Sequence, residues 1–388
     1  MTGLDGRRVY LDWNATAPLR PEAREAILAA MDAVGNPSSV HAEGRAARAI
    51  VERARGRVAG LVGCAPDEVV FTSGATEAAN AVFAAGYDNV WEGEAEHDAV
   101  SGASLNARGP LRHGLQVPLS RSGTINLHGL ADPFARTEDS GDGLVVACAA
   151  YSETGVLNDW AAIGRIARGH GAAWLCDATQ AVGKTGFDAV AVGADHAFGS
   201  AHKIGGPKGV GFVRVPAAIT RPFRHIRGGG QERGRRSGTE NVIGIAGFGA
   251  AAEAARRDLA DGLWERVAHL RNILESEVEA AAPDVTFLGR EAVRLPNTTY
   301  FAAPGWKGET QVMALDLAGF AVSAGSACSS GKVAESRVLR AMGVDAETAR
   351  SAIRVSLGPT TTEGEVRAFA AAWKTLYAKR ARRAALAG

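Results

Sequence analysis

Lys203 lies in the stretch GSAHKIGGPKGVGF, among small residues and just after an apolar segment that ends near Phe198. A lysine enclosed there sheds hydration, deprotonates more readily and can condense with an aldehyde; the alternative is a solvated loop lysine. Asp177 closes the apolar run AAWLC. A carboxylate so placed needs a partner, either a protonated pyridine nitrogen or the backbone of a helix start within DATQ. His97, in AEHDAV, offers a flat ring for stacking on a planar ligand, or else is a satisfied histidine at a strand end. Cys328 sits in SAGSACSSGKVAES, a Gly- and Ser-rich loop that can carry a thiolate, the nucleophilic form of cysteine. Cys148 and Cys176 lie in apolar runs and suit plain burial.

These residues need a scaffold that brings strand ends together. From Pro21, PEAREAILAAMDAV has helical apolar spacing, and EGRAARAIVERARGRVAGLV continues it after the turn GNPSS. DEVVFTSGATEAANAVFAAG then predicts a buried strand, a small-residue turn and a helix start, the local geometry that offers backbone N–H groups to a phosphate. NVWEGEAEH, LQVPLS, GLVVACAAY and AAWLCD predict further strands, with DWAAIGRIARGHG as an intervening helix. Alternation of this kind implies an α/β fold with a mainly parallel sheet flanked by helices. The polar clusters SGATE, EH, YSETG, DATQ and GSAHK fall at the carboxyl ends of those strands, where such sheets gather their sites. A long helical region after Thr239 suggests a second domain, with a boundary near residue 255.

Composition narrows the function classes. The 388 residues are 46% hydrophobic and 22% charged, enough for a large cored domain and a smaller one. A formal net charge of +1 argues against a broad nucleic-acid footprint, and Arg233, Arg235 and Arg236 form a local cluster. Cys64, Cys148, Cys176 and Cys328 show neither a CxxC pair nor zinc-ligand spacing, so no metal site is expected and a reducing compartment is. MTGLDGRRVYLDWNATAP has no signal-like apolar core, and no apolar run approaches the roughly 20 residues of a membrane span. The expectation is a cytoplasmic protein acting on small molecules or protein partners, with no membrane contact and no requirement for nucleic acid.

Read in order, SGATEAAN, EHDAV, SETG, DATQAVGK, GSAHKIGGPKGVG, GGGQERGRRSGTEN, GSACSSG and IRVSLGPTTTEGE resemble the cysteine desulfurases, the NifS/IscS-like branch of the class V aminotransferases. The likeness runs from YLDWNATAPLRPEA to beyond Ser356. It implies a pyridoxal-phosphate enzyme of fold type I, with a large domain (16–255) built on a seven-stranded sheet and a small α+β domain (1–15 and 256–388) carrying the Cys328 loop. By the same resemblance Lys203 attaches the cofactor, Asp177 pairs with the ring nitrogen, His97 stacks on the ring and Gln180 bonds the ring hydroxyl. Ala75, Thr76, Ser200 and His202 hold the phosphate, and Thr239 reaches the phosphate in the neighbouring subunit of a homodimer. Arg354 matches the arginine that binds the substrate carboxylate, with Asn36 near the same end. Cys328 takes the sulfur of L-cysteine as a persulfide and passes it to an acceptor protein serving iron–sulfur clusters, tRNA thiolation or a molybdenum cofactor.

Two positions depart from the family pattern. Tyr151 stands where an asparagine is usual, a larger group that can still donate a hydrogen bond, and Asn158 stands where glutamine is common. Three other readings are an aminotransferase on the same fold, a selenocysteine lyase, and a scaffold that kept the fold but lost its chemistry. Net consumption of a keto acid would mark the first, and lack of visible absorbance the last.

Overall fold

The computed structural model describes residues 3–4, 6–106, 113–134, 143–219, 221, 223, 225–325 and 336–387. Strand β1 (Val9–Tyr10) precedes helices α1 (Pro21–Met31) and α2 (Ala42–Val62). Strands and helices then alternate as β2 (Val69–Thr72), α3 (Ala75–Phe83), β3 (Asn89–Gly93), α4 (Asp98–Asn106), β4 (His113–Val117), α5 (Leu127–Phe134), β5 (Gly143–Cys148), α6 (Trp160–Gly169), β6 (Ala173–Asp177), α7 (Ala189–Val192), β7 (His196–Ser200) and β8 (Gly211–Arg214). The remainder comprises α8 (Val242–Ala260), α9 (Leu263–Ala281), β9 (Thr286–Phe287), β10 (Thr298–Ala302), α10 (Gly308–Leu317), β11 (Phe320–Ala321), α11 (Arg337–Ala341), α12 (Ala346–Arg350), β12 (Ala352–Ser356) and α13 (Glu363–Ala387).

The seven-stranded sheet has the order β2-β8-β7-β6-β5-β3-β4. Strands β3 to β7 pair in parallel, whereas β8 runs antiparallel between β7 and β2. The central strands β5 and β6 are near-continuous apolar runs because helices cover both faces of the sheet, whereas β4, at the edge, exposes Leu115 and Gln116. Strand β8 has no such run: its entry at Gly211 is set by close approach, since a Cβ there would lie 2.7 Å from Gly74 Cα and 2.6 Å from the Gly199 carbonyl. Trp174, Phe212, Ile163 and Val58 fill one core between the sheet and its helices, and α8 packs across α1 and α2. That crossing depends on small residues, because a Cβ on Gly249 would meet Ala54 Cα at 2.6 Å.

A second core joins Val9 and Leu11 to Val267, Leu274, Phe301, Leu315, Phe369 and Trp373. It is built on the antiparallel sheet β12-β10-β9 and the parallel pair β1-β11, with α9 and α13 packed together beside them. Each fully buried aliphatic or aromatic side chain contributes roughly 1.5–3 kcal/mol to holding these layers together. The helical stretch after Thr239 is broken at Gly262, whose φ of +68° caps α9 and lets the chain turn out of α8. Residue 255 lies within α8. Among the described residues no helix is long and apolar enough to cross a membrane.

One core residue makes the fold sensitive to acid. His196 is fully buried between the Tyr87 hydroxyl (3.0 Å) and the Arg214 carbonyl (3.1 Å), and burial pulls its pKa from 6.5 down to about 4. The unfolded chain therefore binds a proton below pH 6.5 that the folded chain refuses until about pH 4, so stability falls as pH drops through that window. The loss attributable to His196 is expected to approach about 3 kcal/mol at the acid end. Urea unfolding of wild type and His196→Gln between pH 7 and 4.5 checks this: the variant should lose less, and an unchanged slope would remove His196 as the cause.

Candidate active site

A cavity of about 790 Å³ opens at the carboxyl ends of the parallel strands. Nine of the twelve site residues expected from the sequence line it: Ala75, Thr76, His97, Asp177, Gln180, Ser200, His202, Lys203 and Arg354. Asn36 and Thr239 are exposed and are absent from this lining. The Asn36 side chain instead accepts from Ser38 N at 2.9 Å. Cys328 lies outside the described residues.

One end of the cavity is built for an anion. Ser73 and Gly74 turn β2 into α3, whose first residues are Ala75 and Thr76. Helix N-termini leave N–H groups unpaired and carry positive potential, which suits a phosphate. Ser200 Oγ accepts from Ala75 N at 2.9 Å, so its own proton can turn to a ligand. His202 Nδ1 lies 3.1 Å from Thr16 Oγ1. Burial, reinforced by Lys203, Lys208 and Lys184, pulls the His202 imidazole down to about 4, so it is a neutral hydrogen-bonding group at neutral pH. Lys208 supplies a cation at the same wall. The neighbouring GGGQERG loop is anchored by Glu232, which takes Arg55 at 2.6 and 3.0 Å and Phe71 N at 3.1 Å.

Across the middle, Asp177 ends β6 with Oδ1 accepting from Thr179 N at 2.9 Å. His97 follows β3; its Nδ1 accepts from Ala99 N at 3.1 Å, which leaves Nε2 to carry the ring's N–H. Lys203 closes a single turn after β7 and donates to the carbonyls of Asn14 (2.8 Å) and Ala15 (2.9 Å). At the far end Arg354, on β12, gives Nη2 to Asp12 (2.7 Å) and Nη1 to the Ser152 carbonyl (3.1 Å). Its buried Nε has no partner among the described residues.

The floor combines groups that burial keeps protonated. Glu96, Tyr151 and Cys148 all have pKa values driven well above their ordinary ranges by desolvation. Glu96 Oε1 accepts from Cys148 N at 3.0 Å. Asn158, which stands where glutamine is common, is a structural tie: it donates to the Cys148 carbonyl (2.8 Å) and accepts from Ile125 N (2.7 Å). Thr179 Oγ1 and Arg354 Nε are buried without partners among the described residues, and both belong to residues lining this cavity, whereas the Tyr151 hydroxyl lies against Asn158 and Cys148. Buried polar atoms are nearly always paired, so these two orphans beside one space fit a polar occupant. An anion-binding end, a central carboxylate, an amine and a spare guanidinium donor fit a phosphorylated pyridine aldehyde and an amino-acid carboxylate.

Asn14 is the residue that sequence reading missed. Its carbonyl receives Lys203 and Gln180 Nε2 (3.0 Å), its side chain receives Lys184 (3.1 Å) and Asn297 (3.0 Å), and it donates to the Ser152 carbonyl and Thr298 Oγ1. The only signal was its place in LDWNATAP, where the resemblance begins. Glu96, Glu153 and Lys208 also line the cavity and were not singled out.

The model of the aminotransferase class-V family matches residues 9–369. The chain belongs to that family and is a pyridoxal-phosphate-dependent enzyme. It is 40% identical to a cysteine desulfurase of Frankia sp., over 93% of this chain and 89% of that protein. It is 37% identical to an IscS-like cysteine desulfurase of Mycobacterium tuberculosis, over 97% and 98%. A NifS-like protein from Rickettsia africae superposes with a TM-score of 0.87 at 32% identity, covering 96% of this chain and 99% of that one.

Proposed function

We propose that this chain is a cysteine desulfurase that converts L-cysteine to L-alanine and retains the sulfur as a persulfide on Cys328. The observation that carries the reading is the convergence of Lys203, Asp177 and Arg354 on one cavity. The likeness to curated cysteine desulfurases supports it.

In this reading Lys203 would hold the cofactor covalently, Asp177 would keep the ring nitrogen protonated, His97 would stack on the ring, Gln180 would meet its hydroxyl, and Ala75, Thr76, Ser200 and His202 would take the phosphate. Pyridoxal phosphate, when bound, supplies an electron sink that acidifies the substrate's Cα proton. Arg354, which lines the cavity with its fork aligned by Asp12, receives the substrate carboxylate. Once free of the cofactor, the Lys203 amine takes the Cα proton. The Cys328 thiolate attacks the substrate sulfur: the S–S bond forms, the C–S bond breaks and its electron pair stays with the substrate, whose Cβ takes up a proton while Lys203 returns the proton to Cα, giving alanine. The enzyme thiol and L-cysteine thus become a persulfide and alanine.

The exposed apolar side chains of Leu28, Met31, Val34 and Val40, close in sequence to Asn36, support a homodimer in which Thr239 completes the neighbouring site. The first core draws its buried residues from 23–255 and the second from Val9, Leu11 and 264–373, which supports a division into 16–255 and 1–15 with 256–388, while Tyr151, Val156, Tyr300 and Leu339 pack together across that boundary. The persulfide goes to an acceptor protein, and a nucleophilic cysteine suits the reducing cytoplasm. Incubation of the loaded enzyme with L-cysteine and a thiol reductant tests the function: equal amounts of alanine and sulfide, with no keto acid added, are expected. Amino transfer to a keto acid without sulfide release would overturn the reading.

A further inference from the structure

Lys184 is 3% exposed, lies behind the wall of the cavity and takes no part in the chemistry above. Its Nζ donates to Gln180 Oε1 at 2.6 Å and to Asn14 Oδ1 at 3.1 Å. No carboxylate is among these contacts. Burial, with Lys203 and Arg354 nearby, lowers its pKa well below the usual lysine range. A buried lysine that gains no ion pair is an expensive way to fill space, and an apolar side chain of that length would serve packing better.

What the amine does is set directions. An amide such as Gln180 can be turned end for end with little change in shape, and only its partners decide which end faces where. With Lys184 donating, the end behind the wall must be the carbonyl oxygen. Nε2 is then the other end; one of its hydrogens goes to the Asn14 carbonyl at 3.0 Å and the second remains for the cavity that Gln180 lines. Asn14 is oriented in the same way. Its Nδ2 is committed to the Ser152 carbonyl (3.1 Å) and Thr298 Oγ1 (2.8 Å), so Oδ1 faces Lys184 and Asn297. The same Asn14 carbonyl that holds Gln180 also receives Lys203.

We propose that Lys184 is a positioning residue of the cofactor site: its buried amine fixes the Gln180 amide with Nε2 toward the ring hydroxyl and steadies the Asn14 carbonyl on which Lys203 rests. This rests on the assignment of Gln180 to the ring hydroxyl. Without the amine, Gln180 Oε1 and Asn14 Oδ1 each lose a donor, and the amide can reverse and present an acceptor to the ring.

The test compares Lys184→Met, Gln180→Leu and the double variant by visible absorbance of the loaded protein, rate of cofactor release on dilution and thermal unfolding of the apoprotein. Lys184→Met is expected to shift the absorption band and to release pyridoxal phosphate about tenfold faster, as befits one lost buried hydrogen bond. The double variant should match Gln180→Leu alone, because Lys184 acts through that amide. Lys184→Gln, which keeps a donor, should recover most of the wild-type band. If Gln180→Leu changes neither band nor release, the Gln180 assignment itself fails. If Gln180→Leu changes both but Lys184→Met does not, or the two add in full, the role given to Lys184 is wrong. Should Lys184→Met not yield folded apoprotein, the same cycle is run with Lys184→Leu, a shorter side chain without a donor, where non-additivity is again required.

Discussion

Replacing Cys328 with alanine is expected to leave pyridoxal phosphate bound and the visible absorbance intact while lowering alanine and sulfide formation from L-cysteine by at least about a hundredfold, the scale of a lost nucleophile. The expectation follows partly from what burial does to the other thiols. Cys148 and Cys176 are fully buried, and desolvation, with Glu96 and Asp177 nearby, drives both pKa values far up. The Cys64 thiol is pushed up to about 12, again by burial first and then by Glu68. None of the three can supply a thiolate at neutral pH, and a thiol is not a competent attacker. Cys328 is the remaining cysteine, and the chain on either side of its segment reaches the site. Ser323 Oγ donates to Asp12 Oδ2 at 2.8 Å, the same carboxylate that aligns Arg354, and Arg337 and Val338 line the cavity. Product assays on Cys328→Ala and Cys64→Ser under equal cofactor loading check the prediction. The second variant should retain wild-type rates, and full sulfide release by the first would remove Cys328 from the mechanism.

Lys203→Ala is expected to abolish covalent cofactor attachment, to lose the absorbance of the attached form and to reduce turnover by about 10³-fold or more, combining the loss of the anchor with that of the base. Its amine donates to two carbonyls, at 2.8 and 2.9 Å, on the wall of the cavity, and an amine can condense with an aldehyde. Lys203→Arg should fail equally, because a guanidinium cannot deprotonate near neutral pH and cannot form the covalent link. Apoprotein stability should change little, since Ile204 and Ala201, which pack in the core beside it, keep their places. Borohydride reduction followed by peptide mass analysis gives the decisive readout: pyridoxyl modification at position 203 in wild type and none in either variant. Modification at Lys208 or Lys184 in wild type would transfer the role.

The chain sequence by itself determined which residues stand at the carboxyl ends of the strands. Buried parallel strands must be continuous apolar runs, so Asp177 after AWLC and His97 after NVWEG could be placed without coordinates. It also determined that Lys203 follows a strand and that α3 opens on SGAT, because those signals are local and periodic. What lies between distant segments had no such signal. Strand β8 enters the sheet antiparallel through a glycine-rich stretch that looks like loop, and its place depends on the close approach of Gly74, Gly199 and Gly211. Asn14 meets Lys203 from 189 residues away and Lys184 from 170. Asn36 and Thr239 are exposed rather than in the cavity of their own chain. Propensity and pattern report how a segment meets solvent, whereas the partners of a buried polar group are chosen only when the layers close around it, and every such group must then find one.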